Sequence, residues 1–163
     1  MGAPLNVLFL CTHNSARSIL AECLLNHLGT GRFRAFSAGS QPSGRVNPFA
    51  LQALTEAGVD TTGVRSKSWD SFAESGAPQM DLIITVCDSA AGELCPVWPG
   101  HPATAHWGYA DPSAATGPDA ARLMAFRDTM ALIRRRLEIL VALPAERLDA
   151  LRLEHTARSL ADR

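Results

Sequence analysis

Two residue types set the first chemical question. Cys11 closes the apolar run Leu8-Phe9-Leu10, and Arg17 closes the small, polar interval Thr12-His13-Asn14-Ser15-Ala16. A thiolate is a strong nucleophile, and a guanidinium offers a planar fork that takes two oxygens of a tetrahedral anion. Between a strand and a helix, residues Thr12, His13, Asn14, Ser15, Ala16, Arg17 and Ser18 can turn successive backbone N–H groups toward one oxyanion. The helix N-terminus adds its positive end. The same field favours the ionised form of Cys11, whose free thiol would titrate near ~8.5. The interval therefore predicts a nucleophile together with a cradle for its target, with Asn14, Ser15 and Ser18 pinning the loop. It lacks the Gly-x-Gly-x-x-Gly spacing of a dinucleotide site.

Three further cysteines could join this chemistry. Cys87 ends the run DLIITVC, so it stands after a second buried strand, as Cys11 does after the first. Two thiols at one edge of a sheet point to a shared site. Cys95 follows after a short, small-residue stretch. Cys23 falls on the apolar face of the first helix and reads as core. Cys87, Cys95, His101 and His106 could together supply four zinc ligands, but Cys-x7-Cys is unlike the usual close pair. His27, His101, His106 and His155 read as structural or surface residues. A non-enzymatic oxyanion sensor would use the same cradle without turnover.

The elements that must position these groups alternate along the chain. Val7–Leu10 reads as a fully buried strand, since a parallel strand covered on both faces loses alternation. From Ser15 the apolar positions Ile19, Leu20, Cys23, Leu24 and Leu28 take helical spacing, stopped by Gly29 and Gly31. Phe33–Gly39 reads as a second strand. Asn47-Pro48 starts a helix through about Ala57. Asp81–Cys87 and Ala103–Trp107 read as the third and fourth strands. The longest helix spans about Asp119–Ala142, with Phe126, Met130, Ile133, Leu137 and Leu140 as its stripe. Alternating strands and helices predict an α/β fold: a single doubly wound domain with a four-stranded, mainly parallel sheet and helices on both faces. Ligands bind such sheets at the carboxyl ends of the strands.

The 163-residue chain suits one core-forming domain over residues 1–143, with 144–163 as a helical tail packed on the body or on a partner. Formal net charge is −1, which gives no electrostatic case for nucleic acid, and Arg134-Arg135-Arg136 reads as a solvated helix face. The start MGAPLNVLFLC has no positive n-region, Asn6 does not fit a myristoylation signal, and no run reaches a membrane span of ~18 apolar residues. A cytoplasmic protein without membrane partners is the expectation. Cysteines there are catalytic, redox-active or core residues rather than a disulfide framework.

CTHNSARS resembles the signature of the low-molecular-weight protein tyrosine phosphatases and of the arsenate reductases that share their fold. The resemblance runs from Val7 to about Leu143. Asp111-Pro112 is similar to the family's late Asp-Pro, whose aspartate protonates a leaving oxygen. The resemblance implies that Cys11 attacks phosphorus or arsenic in an oxyanion held by the loop and Arg17. His13 departs from it, standing where members often have glycine. Asn14, Glu22 and Ser37 are similar to positions where some reductases hold a monovalent cation, but Glu22 reads more simply as an exposed helix residue, and no such site is claimed.

Phosphatase and reductase part at the second step. A phosphatase releases phosphate with water activated by Asp111. A reductase needs a thiol to attack the Cys11 sulfur. Cys87 and Cys95 resemble the resolving pair of such reductases, which implies a relay from Cys11 through Cys87 to Cys95. No tightly bound cofactor is implied. The external reductant would be thioredoxin, with glutaredoxin or another thiol as alternatives. One helix over 87–95 would separate the two cysteines by about 12 Å, beyond the ~7 Å Cα reach of a disulfide. The segment Ser89-Ala90-Ala91-Gly92 must therefore bend during the relay. Ser113-Ala114 follows Asp-Pro where tyrosine phosphatases usually carry tyrosines, which weakens the phosphatase reading. An aryl phosphate would find little to stack on there, although Trp107 is near in sequence.

Overall fold

The computed structural model describes residues 4–87, 102–144 and 150–162. Strand β1 spans Leu5–Cys11 and β2 Phe33–Gly39. Strands β3, Leu82–Thr85, and β4, Ala103–His106, are shorter than their apolar runs suggest. Cys87 therefore lies two residues beyond its strand, whereas Cys11 is the last residue of its own. All four strands are parallel, in the order β2-β1-β3-β4. The register pairs Cys11 with Gly39, Leu10 with Thr85, and Thr85 with His106. Each strand thus delivers its carboxyl end to one edge.

Helix α1 is Arg17–Leu28, so Arg17 opens the helix and residues 12–16 form the loop proper. Helix α2, Pro48–Glu56, starts as its sequence predicts: the Asn47 side chain accepts the Phe49 N–H at 2.9 Å. Helix α3 covers Asp119–Val141 and α4 covers Ala150–Leu160. On α3, Leu123, Phe126, Ile133, Leu137 and Leu140 are buried, while Met130 is only partly covered.

Val7, Phe9 and Cys11 face one core with α1, α2 and α3, to which α4 adds Ala157 and Leu160. Leu8 and Leu10 face the opposite side. There the 3-10 turn Trp69–Phe72 and Met80 close over Leu8, Leu10, Ala38 and Ile83. Covering both faces explains why β1 is apolar without alternation.

One position at the strand edge tolerates no side chain. A Cβ on Gly39 would stand 2.5 Å from the Thr12 carbonyl oxygen and 3.0 Å from that of Cys11. Gly39→Ala must therefore displace backbone rather than a flexible side chain. We expect a loss of about 1–3 kcal/mol in unfolding free energy, measurable in denaturant. An unchanged midpoint and slope would show that the loop can retreat freely.

Candidate functional site

The loop from Thr12 to Ala16 is held from outside by its own carbonyls. Thr12 accepts the Gln41 N–H, His13 accepts those of Ser43 and the Ser66 hydroxyl, and Ser15 accepts that of Asn47. With these carbonyls bonded to neighbouring segments, the N–H groups that follow Thr12 can turn toward the inside of the loop. Asn14 makes this turn possible. It is fully buried at φ +48, among the described residues the one non-glycine in the left-handed region. Its side-chain amide donates to the Ser18 hydroxyl at 2.8 Å and accepts the Lys67 N–H at 2.9 Å. The expected loop-pinning partners Asn14 and Ser18 therefore meet directly.

Arg17 points from the first turn of α1 to the segment after β4. Its Nη1 donates to the Tyr109 carbonyl at 2.8 Å, and its Nη2 lies 3.8 Å from Asp111 Oδ2. Asp111 caps the 3-10 turn Pro112–Ala114, its Oδ1 accepting both the N–H and the hydroxyl of Ser113. That leaves Oδ2 directed to the guanidinium. A partly screened pair at this distance orients groups more than it stabilises the fold, because the Asp111 side chain is 41% exposed.

The two thiols meet at the base of the loop. The Thr12 N–H donates to Cys87 Sγ at 3.3 Å, and the Thr12 hydroxyl lies 3.6 Å from the same sulfur. Cys11 and Cys87 share a side-chain hydrogen bond, and neither is in a disulfide. This contact corrects one expectation from the loop. Cys87 first, and burial second, push the Cys11 thiol well above the ordinary range; Arg17 and the Thr12 N–H pull the other way and lose. The contact with Cys87 thus opposes the ionisation that the loop and Arg17 favour.

The other expected positions sort themselves by exposure. His13 is exposed and has no left-handed φ, so its replacement of glycine costs the loop nothing. Cys23 is core, its pKa raised to about 12 chiefly by burial, with Glu22 and Asp60 adding to it. Glu22 is not an exposed helix residue: it accepts the Ser37 hydroxyl at 2.5 Å and stands 3.5 Å from Lys67 Nζ. The Lys67 ammonium thus faces the carboxylate at the place where the sequence suggested a cation, and burial lowers its pKa against the pull of Glu22. Trp107 is fully buried and cannot form a substrate wall; Tyr109 is half-buried beside the site. Cys95, His101 and the hinge residues Ser89–Gly92 lie outside the described residues. Of the zinc alternative, Cys87 is engaged by Thr12 and His106 Nδ1 by the Thr85 hydroxyl at 2.7 Å. Among the described residues no cluster of three or more His, Cys, Asp or Glu could hold a metal ion.

Gly39, Lys67 and the Tyr109 carbonyl were not anticipated from sequence. Gly39 had a signal in the small triplet Ser37-Ala38-Gly39 at a strand end. Nothing local marks Lys67 or a backbone carbonyl.

A parallel α/β sheet that ends in an anion-type loop, with a buried thiol beneath it and an arginine across it, defines a domain of the cysteine-based phosphatase class. The chain belongs to the low molecular weight phosphotyrosine protein phosphatase family, whose model matches residues 6–153. It is 35% identical over 132 residues to an arsenate reductase of Bacillus subtilis, spanning 81% of this chain and 91% of that one. An arsenate reductase from Archaeoglobus fulgidus superposes with a TM-score of 0.65 at 30% identity, over 84% of this chain and 99% of the other. An arsenate reductase in the phosphate binding state superposes with a TM-score of 0.61 at 28% identity, over 85% and 97%.

The thiol contact has a readable consequence. Only the thiolate reacts with iodoacetamide, so a raised pKa places Cys11 alkylation at high pH. Cys87→Ala removes the largest cause of the rise, and the alkylation midpoint of Cys11, followed by peptide mass, should move to lower pH. A midpoint that stays or climbs would contradict the coupling.

Proposed function

We propose that this protein reduces arsenate to arsenite. The carrying observation is the second sulfur: Cys87 touches Cys11 and is held there by Thr12. A phosphatase finishes its reaction with water on the side of phosphorus opposite the sulfur and has no use for a second thiol against its nucleophile, whereas a reductase requires one. The arsenate reductases among its relatives support the same reading.

The Cys11 sulfur attacks arsenic while Arg17 and the loop N–H groups hold the remaining oxygens. One As–O bond breaks, and Asp111 supplies the proton that lets the oxygen leave as water. Cys11 must be ionised for this step, and the arriving oxyanion can take its proton. Cys87 then attacks the Cys11 sulfur. The S–As bond breaks with its electron pair going to arsenic, so arsenite leaves and the two sulfurs are oxidised to a disulfide. Cys95 attacks Cys87, releases the Cys11 thiolate and leaves a Cys87–Cys95 disulfide. An external dithiol, thioredoxin first and glutaredoxin as the alternative, returns both to thiols. This sequence consumes two electrons per arsenate, in a reducing cytoplasm, and serves arsenic detoxification. The site residues are Cys11, Arg17, Cys87, Cys95 and Asp111, with residues 12–18 binding the oxyanion.

Single-turnover chemistry separates the steps. With excess arsenate and no reductant, Cys87→Ser should release no arsenite. Cys95→Ser should release one equivalent and trap a Cys11–Cys87 disulfide. With thioredoxin present, either replacement should lower turnover roughly a hundredfold or more. Undiminished turnover in both would refute the relay. Rapid hydrolysis of an aryl phosphate without arsenate reduction would assign the phosphatase reaction instead.

A further inference from the structure

The segment that receives Arg17 is fixed by the C-terminal helix. Directly after β4, the indole Nε1 of Trp107 donates to the Ala157 carbonyl of α4 at 2.7 Å, in a buried contact. Arg136 of α3 reaches the same place: its guanidinium carbon lies 5.9 Å from the Trp107 ring centre and 4.8 Å from that of Tyr109. Its Nη2 donates to the Ala161 carbonyl at 3.2 Å. Farther along β4, Arg158 donates from Nε to the Thr104 carbonyl at 3.0 Å. The helix therefore grips both β4 and the turn that follows it.

That turn is also where the oxyanion site is completed. Tyr109 offers the carbonyl that takes Arg17 Nη1, and Asp111, two residues on, faces Nη2. A guanidinium must be aimed as well as present, because its two-oxygen fork has fixed geometry. We infer that Trp107 and Arg136 are positioning residues for oxyanion binding, through which α4 sets the orientation of Arg17. Ala157 and Ala161 lie beyond residue 153, the last residue that the family model matches. The inference rests on the oxyanion site proposed above and adds its support from the far end of the chain.

The test uses the full chain and inorganic phosphate, read as protection of Cys11 from iodoacetamide. Wild type should be protected, and Arg17→Lys should lose most protection. That pair of results tests the site itself. Trp107→Phe keeps an aromatic side chain but removes the indole donor and part of the buried volume, and Arg136→Gln removes the cation between the two rings. Each should raise the half-protecting phosphate concentration about fivefold, the scale of one lost buried hydrogen bond. The KM for arsenate should rise in parallel, at temperatures well below each variant's Tm. Arg136→Lys, which keeps the charge, should recover part of the loss. Unchanged phosphate protection in both Trp107→Phe and Arg136→Gln, even with a lower Tm, would reduce α4 to a stabilising helix and overturn the inference. An unprotected wild type would remove the oxyanion site and this inference with it.

Discussion

The buried amide of Asn14 is the constraint from which the rest of the site follows. It turns the chain into the left-handed region, ties the loop forward to Ser18 and sideways to Lys67, and does so without exposing any of its polar atoms. Asn is one of the few residues that accept such a φ at modest cost, because its side chain can bond locally. Once that turn is fixed, the carbonyls of Thr12, His13 and Ser15 bond to neighbouring segments and hold the loop's shape. Pre-shaping of this kind spares the protein the ordering entropy that a flexible loop would lose on binding.

The thiol pair introduces an opposing demand. A nucleophile works best ionised, yet two sulfurs in contact inside a poorly solvated pocket disfavour two charges, and the neighbour of Cys11 holds its proton in place. The loop chemistry, taken alone, favours the thiolate over the thiol. The structure instead couples the charge state of the nucleophile to the sulfur that would later attack it. One contact thereby does two things: it opposes ionisation of Cys11, and it holds a second sulfur beside it.

Much of this was legible in the order of letters. Asn47-Pro48 gave the start of α2 because a cap and a φ-restricted residue act locally. The apolar runs located all four strands, but not their ends: β3 stops at Thr85 although the run continues to Cys87. Apolar character reports burial, and residues beyond a strand can be buried against a loop. The loop and Arg17 were readable because their residues are contiguous. Lys67 facing Glu22, Gly39 under Thr12, and the Tyr109 carbonyl were not, because each depends on segments brought together only by the fold. The Glu22 side chain illustrates the limit: helical spacing assigned it to an exposed face, and a lysine distant in sequence buried it.

The position of α4 also bears on how the chain avoids its neighbours. Strand order leaves β4 at the margin of the sheet, where unpaired carbonyls invite another strand to add on. Arg158 occupies the Thr104 carbonyl with a bulky cation, and the helix behind it stands along that margin. A chain caught before its last helix has docked would present this margin open, as a template for edge-to-edge aggregation. Docking of α4 therefore decides whether the edge of β4 is closed to a second strand.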